Sequence, residues 1–499
     1  MENGLRYGKV TVKKNTRAQV TPLMNPAVHA RLRFLVHVLS ALMLTTAIFS
    51  AGCVGGGASA PEPTAPEEIS TYPQTTYVPP VFQSQPRPAP KPTPPTAARV
   101  ALGIDVLAAQ NFSILQGQRV GLLTHPAGVN RDGVSTIDIL RRAPGVKLVA
   151  LYGPEHGIYG DEAASQTVPD RVDKKTGLHV YSLFGDTRKP RPDMLESIDV
   201  MVVDLQDIGT RSYTFISCLR YTMEACFEQN KTVVVLDRPN PLGGLKVGGP
   251  LDAKNMKMSY VGAYRVPYVF GLTIGELAQM AKDTPGWLDV AENVRANGKL
   301  IVVPMNGWRR SMTWQDTGLK WVPTSPNIPT VGAAFGYSLT GLAGWGGTTG
   351  VPTKISHGVG TAYPFRFLNY PGHKPAEVAA TFNALHLAGL NFVPYAYLDE
   401  EKVERSGVYV QITDWNAVEP TRLAFEMMKL DAAWNPSGNP YAKATGSGAD
   451  LFEKHVGSTA WYQEISTKGK RADVDAFFRT WDAADADFQK MSQRWWLYR

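Results

Sequence analysis

Asp199-Val200-Met201-Val202-Val203-Asp204-Leu205 is an apolar run framed by carboxylates, and it passes directly into Gln206-Asp207-Ile208-Gly209-Thr210-Arg211-Ser212-Tyr213. A β-branched run of this length, bounded by turn residues, reads as a strand buried on both faces of a parallel sheet. Two further segments repeat the layout. Residues 147–152 run into Gly153-Pro154-Glu155-His156-Gly157, and Thr232–Leu236 runs into Asp237-Arg238-Pro239-Asn240-Pro241. In open α/β sheets ligands bind beyond the carboxyl ends of the strands. Three strands ending in carboxylates, guanidinium and imidazole would pool those groups in one crevice.

Working outward, residues 118–124 and 179–184 read as further strands, and 135–142 and 215–229 as helices. Strands spaced by helices imply βαβ units and a mostly parallel sheet. The fold class is therefore α/β, with a Rossmann-like domain over 100–243. A second, mixed α/β domain over 244–499 would complete the cleft. In that half 262–271 is strand-like, and 273–282 reads as a helix capped by Thr273 with Glu276 at its third position. Residues 300–305 and 408–412 read as strands, 374–387, 420–430 and 472–494 as helices, and the glycine-rich 340–350 as a loop.

The Rossmann-like pattern does not bring a nucleotide with it. After the first strand the chain reads Thr124-His125-Pro126-Ala127-Gly128-Val129-Asn130, with no G-x-G-x-x-G, and no P-loop occurs anywhere. A proline stands where a phosphate cradle needs backbone N–H groups. No cofactor, no metal and no nucleotide are expected.

Residues 1–53 read as a lipoprotein signal peptide. Arg31 and Arg33 precede an apolar stretch over 34–49 that ends in Ser50-Ala51-Gly52-Cys53, similar to a lipobox, with Cys53 as the lipidated residue and Ser50 where leucine is usual. Met24 would serve as an alternative start, and an uncleaved membrane anchor is the competing reading. This leader holds seven Lys/Arg against Glu2, which is +6 of the chain's net +7. The remainder is nearly neutral, so no basic surface argues for nucleic acid. Residues 54–99 contain 12 of the 37 prolines and read as a stiff, disordered tether. The localisation expected is the bacterial cell envelope, lipid-anchored on the periplasmic face, most naturally at the outer membrane. Cys218 and Cys226 sit eight apart on one expected helix, about 12 Å along its axis, too far for a disulfide, so they read as buried free thiols.

The three charged turns, joined by Ser325-Pro326-Asn327-Ile328-Pro329 and Gly358-Val359-Gly360-Thr361, occur in an order that resembles the NamZ-type exo-β-N-acetylmuramidases. The resemblance spans the body from Gly103 to Arg499. It implies a Rossmann-like domain paired with a second α/β domain, and release of N-acetylmuramic acid from the non-reducing end of peptidoglycan fragments. The implied partners are peptidoglycan-derived saccharides. One segment departs from the family pattern: Gly344-Trp345-Gly346-Gly347-Thr348-Thr349-Gly350 lacks an acidic residue that relatives commonly carry. A non-catalytic, cell-wall-sugar-binding lipoprotein is therefore the alternative function. An esterase or metal hydrolase is disfavoured, since the body has neither G-x-S-x-G nor H-E-x-x-H.

Glycoside hydrolysis needs a proton donor and a second group assisting attack at the anomeric carbon. Glu155, between glycines at a strand end, is the expected general acid/base; its bland role would be to cap the turn or pair with Arg211. His156 would orient Glu155, bind sugar or relay a proton. Asp207 and Asp204 compete for the second carboxylate role. Arg211 or Arg238 suits the lactyl carboxylate of muramic acid, since guanidinium grips carboxylate in bidentate fashion. Tyr213, Asp237, Asn240 and Asn327 complete the expected substrate-binding set, Asn327 through the acetamido group. His357 is expected to be structural or to lie at the cleft rim, and Trp345 and Trp308 either stack on sugar or pack in the core.

Overall fold

Val200, Met201, Val202, Val203 and Asp204 form β5, buried along its whole length, as the unbroken apolar run requires. The computed structural model describes residues 99–160, 162, 169–343, 351–444 and 446–499. Seven strands make one sheet: β1 (Arg119–Thr124), β2 (Lys147–Gly153), β3 (Arg171–Val172), β4 (His179–Ser182), β5 (Val200–Asp204), β6 (Thr232–Leu236) and β7 (Leu300–Val303). Their order is β3-β4-β2-β1-β5-β6-β7, parallel except for the β3–β4 edge pair. Leaving out β3, this is the doubly wound order 3-2-1-4-5-6, whose topological switch point lies between the first and fourth strands. Here that point is between β1 and β5.

Alternation along the strands sorts side chains to two faces. Val120, Leu122, Val200 and Val202 point to one core with Ile104 and Leu107 of the helix Gly103–Ala109 and Ile137 and Leu140 of the helix Thr136–Arg142. Leu123, Met201 and Val203 point to the other, against Leu219 and Met223 of the helix Phe215–Glu228 and Leu277 of the helix Ile274–Asp283. This second core continues without a break into Phe425, Trp461 and Trp481 of the C-terminal half. The described residues accordingly fall in one compact unit.

Several expectations differ from what the chain does. The sheet crosses the expected boundary at 243, because β7, at 300–303, pairs in parallel with β6 and extends the first domain's sheet. Residues 262–271 form isolated bridges rather than a strand, their tyrosines and valines turned into the core by local turns. The helix expected over 374–387 is Pro375–Asn383, ending well before Gly389. The helix Val331–Thr340 and the edge strand β9 (Leu390–Leu398) were not anticipated. Both carry strand- or helix-breaking residues, glycines 332 and 336 in one and Pro394 in the other, and an edge strand is where a proline is tolerated. β9 pairs with β10 (Glu404–Ile412), which pairs with β8 (Phe367–Leu368), in a separate antiparallel sheet. Cys218 and Cys226 are buried free thiols, pushed up to about 12 by burial.

The C-terminus closes on the end of β6. Tyr498 Oη donates to Asp237 at 2.5 Å and accepts from Met305 N at 2.9 Å. Leu497 N donates to Glu276 at 2.8 Å, and Glu276 forms a buried ion pair with Arg310, whose guanidinium lies 3.8 Å from the Trp496 ring. Asp237 also accepts from Thr273 Oγ1 and Gly275 N. Tyr498→Phe removes one donor from a buried carboxylate and should cost about 1–3 kcal/mol. Urea unfolding should show a lowered midpoint at unchanged slope; an unchanged midpoint would mean the latch contributes nothing.

Candidate active site

The switch point is bridged by His125, the residue after β1. Its Nε2 accepts from the backbone N–H of Gln206, just past β5, at 2.8 Å, and its ring packs edge-on to Phe215 at 4.7 Å. Burial first, and the charge of Arg238 second, hold His125 well below the usual imidazole range, so it is the neutral acceptor this bond needs. Gln206 in turn donates to the carbonyls of Asp207 and Pro239, tying the β5 and β6 loops together.

Next to β1 on its other side, β2 ends at Gly153 and the chain turns through Pro154-Glu155-His156-Gly157, closed by Gly157 N to Pro154 O at 2.9 Å. His156 sits at φ +72°, a left-handed conformation unfavourable for a residue with a Cβ. Strain of that kind persists where surrounding structure enforces it, and it clusters at functional sites. The His156 ring is buried with Nδ1 2.8 Å from Glu162 O. Glu155 is half-buried and accepts from Thr214 Oγ1 at 2.8 Å. Thr214 is the N-cap of the helix Phe215–Glu228, yet its hydroxyl bonds Glu155 rather than a helix N–H. A carboxylate held there faces the positive end of a four-turn helix.

Asp207 lies beyond β5. Its Oδ2 accepts from Gly209 N at 2.6 Å, while buried Oδ1 has no hydrogen-bond partner among the described residues. Burial pushes its carboxyl up to about 7, against the opposing N–H groups of Gly209 and Ile208. The phenols of Tyr213 and Tyr337 are raised chiefly by burial, and both feel the charges of Glu155 and Asp207. Tyr213 donates to Thr324 Oγ1 at 2.8 Å, and Tyr337, from the helix Val331–Thr340, lies 3.1 Å from Ser212 Oγ. Two carboxylates and two phenols thus converge at the C-terminal edge of β2 and β5.

Other expected site residues are structural. Arg211 is fully buried and donates to the carbonyls of Pro250, Val266 and Val456, so no sugar carboxylate reaches it; burial pulls it down to about 10. Arg238 is committed to Asp204 in a buried bidentate pair, at 2.6 and 2.9 Å, and Asp204 also accepts from Thr136 Oγ1. That pairing occupies both oxygens of Asp204 and two of the three guanidinium nitrogens of Arg238, whose side chain also lines a pocket with Ala127, Asn130 and Gln206. Asp237 belongs to the C-terminal latch, its carboxyl pushed up to about 7 by burial. Asn240 bonds Leu272 O and Leu242 N, and it packs so closely on Gly209, at φ +80°, that a Cβ there would meet its oxygen at 2.3 Å. Asn327 is half-buried, with its amide making no hydrogen bond to another described residue. Trp308 packs edge-on to Tyr498 in the core, and His357 is buried against Phe365. The segment 344–350, with Trp345 and its missing acid, lies outside the described residues. Thr214, His125 and Tyr337 were not anticipated. His125 was legible as the first residue past a switch-point strand; the other two depend on distant packing.

Two family models match the chain: the N-terminal part of the exo-β-N-acetylmuramidase NamZ over residues 120–332, and its C-terminal part over 337–498. A curated relative, the peptidoglycan β-N-acetylmuramidase NamZ of Bacillus subtilis, is 36% identical over 404 residues, covering 80% of this chain and 92% of that protein. Among solved structures, a DUF1343 family protein from Bacteroides fragilis is 40% identical with a TM-score of 0.70, covering 81% of this chain and all of the other. A second protein of that family and organism, 24% identical with a TM-score of 0.59 over 81% of this chain and 99% of its own, shares the fold.

A carboxyl raised by burial favours folding while protonated. The contribution of Asp207 is therefore full below its unfolded value near 4 and lost as pH rises towards 7. Asp207→Asn stays neutral throughout, so the fall in Tm between pH 4 and 7.5 should be smaller in the variant than in the wild type. Identical pH dependence in both proteins would remove Asp207 from this role.

Proposed function

The chain belongs to the exo-β-N-acetylmuramidase NamZ family, and on that premise we propose that it is an exo-acting glycoside hydrolase releasing N-acetylmuramic acid from the non-reducing end of peptidoglycan fragments, with Glu155 as general acid/base. The observation that carries this reading is the placement of Glu155. It is a reachable carboxyl at the end of β2, fixed by Thr214, with the following residue locked in a left-handed backbone. In the reaction the Glu155 carboxyl gives its proton to the glycosidic oxygen as the bond from that oxygen to the anomeric carbon breaks. A water oxygen bonds to the anomeric carbon, and its proton passes to a base. With Asp204 engaged by Arg238, Asp207 is the carboxyl left for the second role.

The same reading has the protein exported and held at the envelope by a lipid on Cys53, with 54–99 as a spacer. Among the described residues no helix is long and apolar enough to cross a membrane.

Incubating residues 98–499 with a muramic-acid-terminated disaccharide should release the free sugar, detected by mass spectrometry. Binding without release would favour the non-catalytic alternative. Glu155→Gln should lower kcat by about 10²-fold or more with unchanged circular dichroism; near-normal turnover would exclude Glu155. Cys53→Ala should shift the full-length protein from the membrane to the soluble exported fraction, and persistence at the membrane would point to an uncleaved helix.

A further inference from the structure

Muramic acid differs from glucosamine by a lactyl ether bearing a carboxylate, and a guanidinium suits such a group because it binds carboxylate in bidentate fashion. Arg211 and Arg238 are both engaged inside the protein. A third guanidinium stands at the same edge of the sheet. Arg188 lies in the loop that leaves β4, and β4 is the hydrogen-bonded neighbour of β2. Gly153 pairs with Ser182, and Leu183 N donates to Gly153 O at 2.8 Å, so the Arg188 loop starts beside the Glu155 turn.

A second tie reaches the same place. Thr214, which holds Glu155, and Ser217 lie one helical turn apart, about 5 Å along the axis. Ser217 Oγ donates to the carbonyl of Tyr260 at 2.6 Å, bringing Tyr260 against that first turn. The Arg188 guanidinium lies over the Tyr260 ring, 4.4 Å from its centroid, and 5.2 Å from that of Phe184. Both rings are buried, while Arg188 is exposed. The Tyr260 hydroxyl feels both Glu155 and Arg188, as expected if it stands between them.

Arg188 makes no ion pair or hydrogen bond with another described residue; its neighbour Lys189 takes Glu224 and Glu228. Stacking on two aromatic faces restrains the guanidinium plane and leaves its N–H edge available for bidentate contact. We propose that Arg188 reads the lactyl carboxylate of the sugar held at Glu155, with Tyr260 and Phe184 as the wall that fixes the guanidinium. This rests on the muramidase reading of the Glu155 site.

A two-by-two comparison tests it: kcat/KM of wild type and Arg188→Ala on the muramic-acid-terminated disaccharide and on the same disaccharide with its lactyl carboxylate converted to a primary amide. The wild type should prefer the acid by about 10- to 100-fold, the range of a charge-assisted pair. Arg188→Ala should lose that preference, and Arg188→Lys should keep part of it, because a point charge replaces the fork. A variant that slows equally on both substrates has a structural defect, and one that keeps the full preference leaves the carboxylate to another group; either overturns the proposal. A wild type that cleaves both substrates equally also overturns it, with the hydrolase reading intact. A wild type that cleaves neither removes the hydrolase reading itself, and the role of Arg188 with it.

Discussion

The buried ion pair between Asp204 and Arg238 fixes the edge on which everything else stands. It joins the ends of neighbouring strands β5 and β6, and through Thr136 and the Val129 carbonyl it reaches the loop and helix after β1. Removing two charges from water is costly, and such a pair holds only when its remaining polar atoms are satisfied. Here both carboxylate oxygens and two guanidinium nitrogens are engaged. Loss of either partner would strand a charge inside the switch point, so the register of three strand ends depends on it.

Around that anchor the charged turn residues divide into a frame and the groups of the proposed site. Asp204, Arg238, Asp237 and Arg211 are frame: each is held by two or more internal partners and binds the sheet to the loops, the C-terminal tail or the second half. Glu155, Asp207, Tyr213 and Tyr337 converge where the loops after β2 and β5 open. The frame explains why the C-terminal half is needed. Val456 receives a hydrogen bond from Arg211, Tyr498 donates to Asp237, and Tyr337 approaches the two carboxylates, so that half completes both the scaffold and the site.

The central strands were legible because both faces of a parallel sheet are buried, which demands long β-branched runs such as 200–204 and 232–236. The capping box of Thr273 and Glu276 was equally plain, being a local arrangement that needs no distant partner. The helix Val331–Thr340 and strand β9 were hidden because their glycines and proline oppose the local conformation, and burial against remote elements overrides that preference. The Glu155 turn was visible as a strand end, but nothing local reveals that Thr214, 59 residues later, forgoes capping its own helix to hold it.

The sequence by itself determined the parallel sheet and the strands whose ends carry charge, the Gly-Pro-Glu-His-Gly turn after β2 among them. These follow from periodicity and turn composition, which act over a few residues. Only the tertiary structure decided which charges are free to act. Arg211, Arg238 and Arg188 are the same side chain at three strand ends, and pattern alone ranks the first two above the third. Burial among carbonyls takes one, a carboxylate across the strand gap takes the second, and two aromatic faces leave the third exposed. The difference lies in partners distant in the chain, and a guanidinium's availability is set by what surrounds it rather than by the residues beside it.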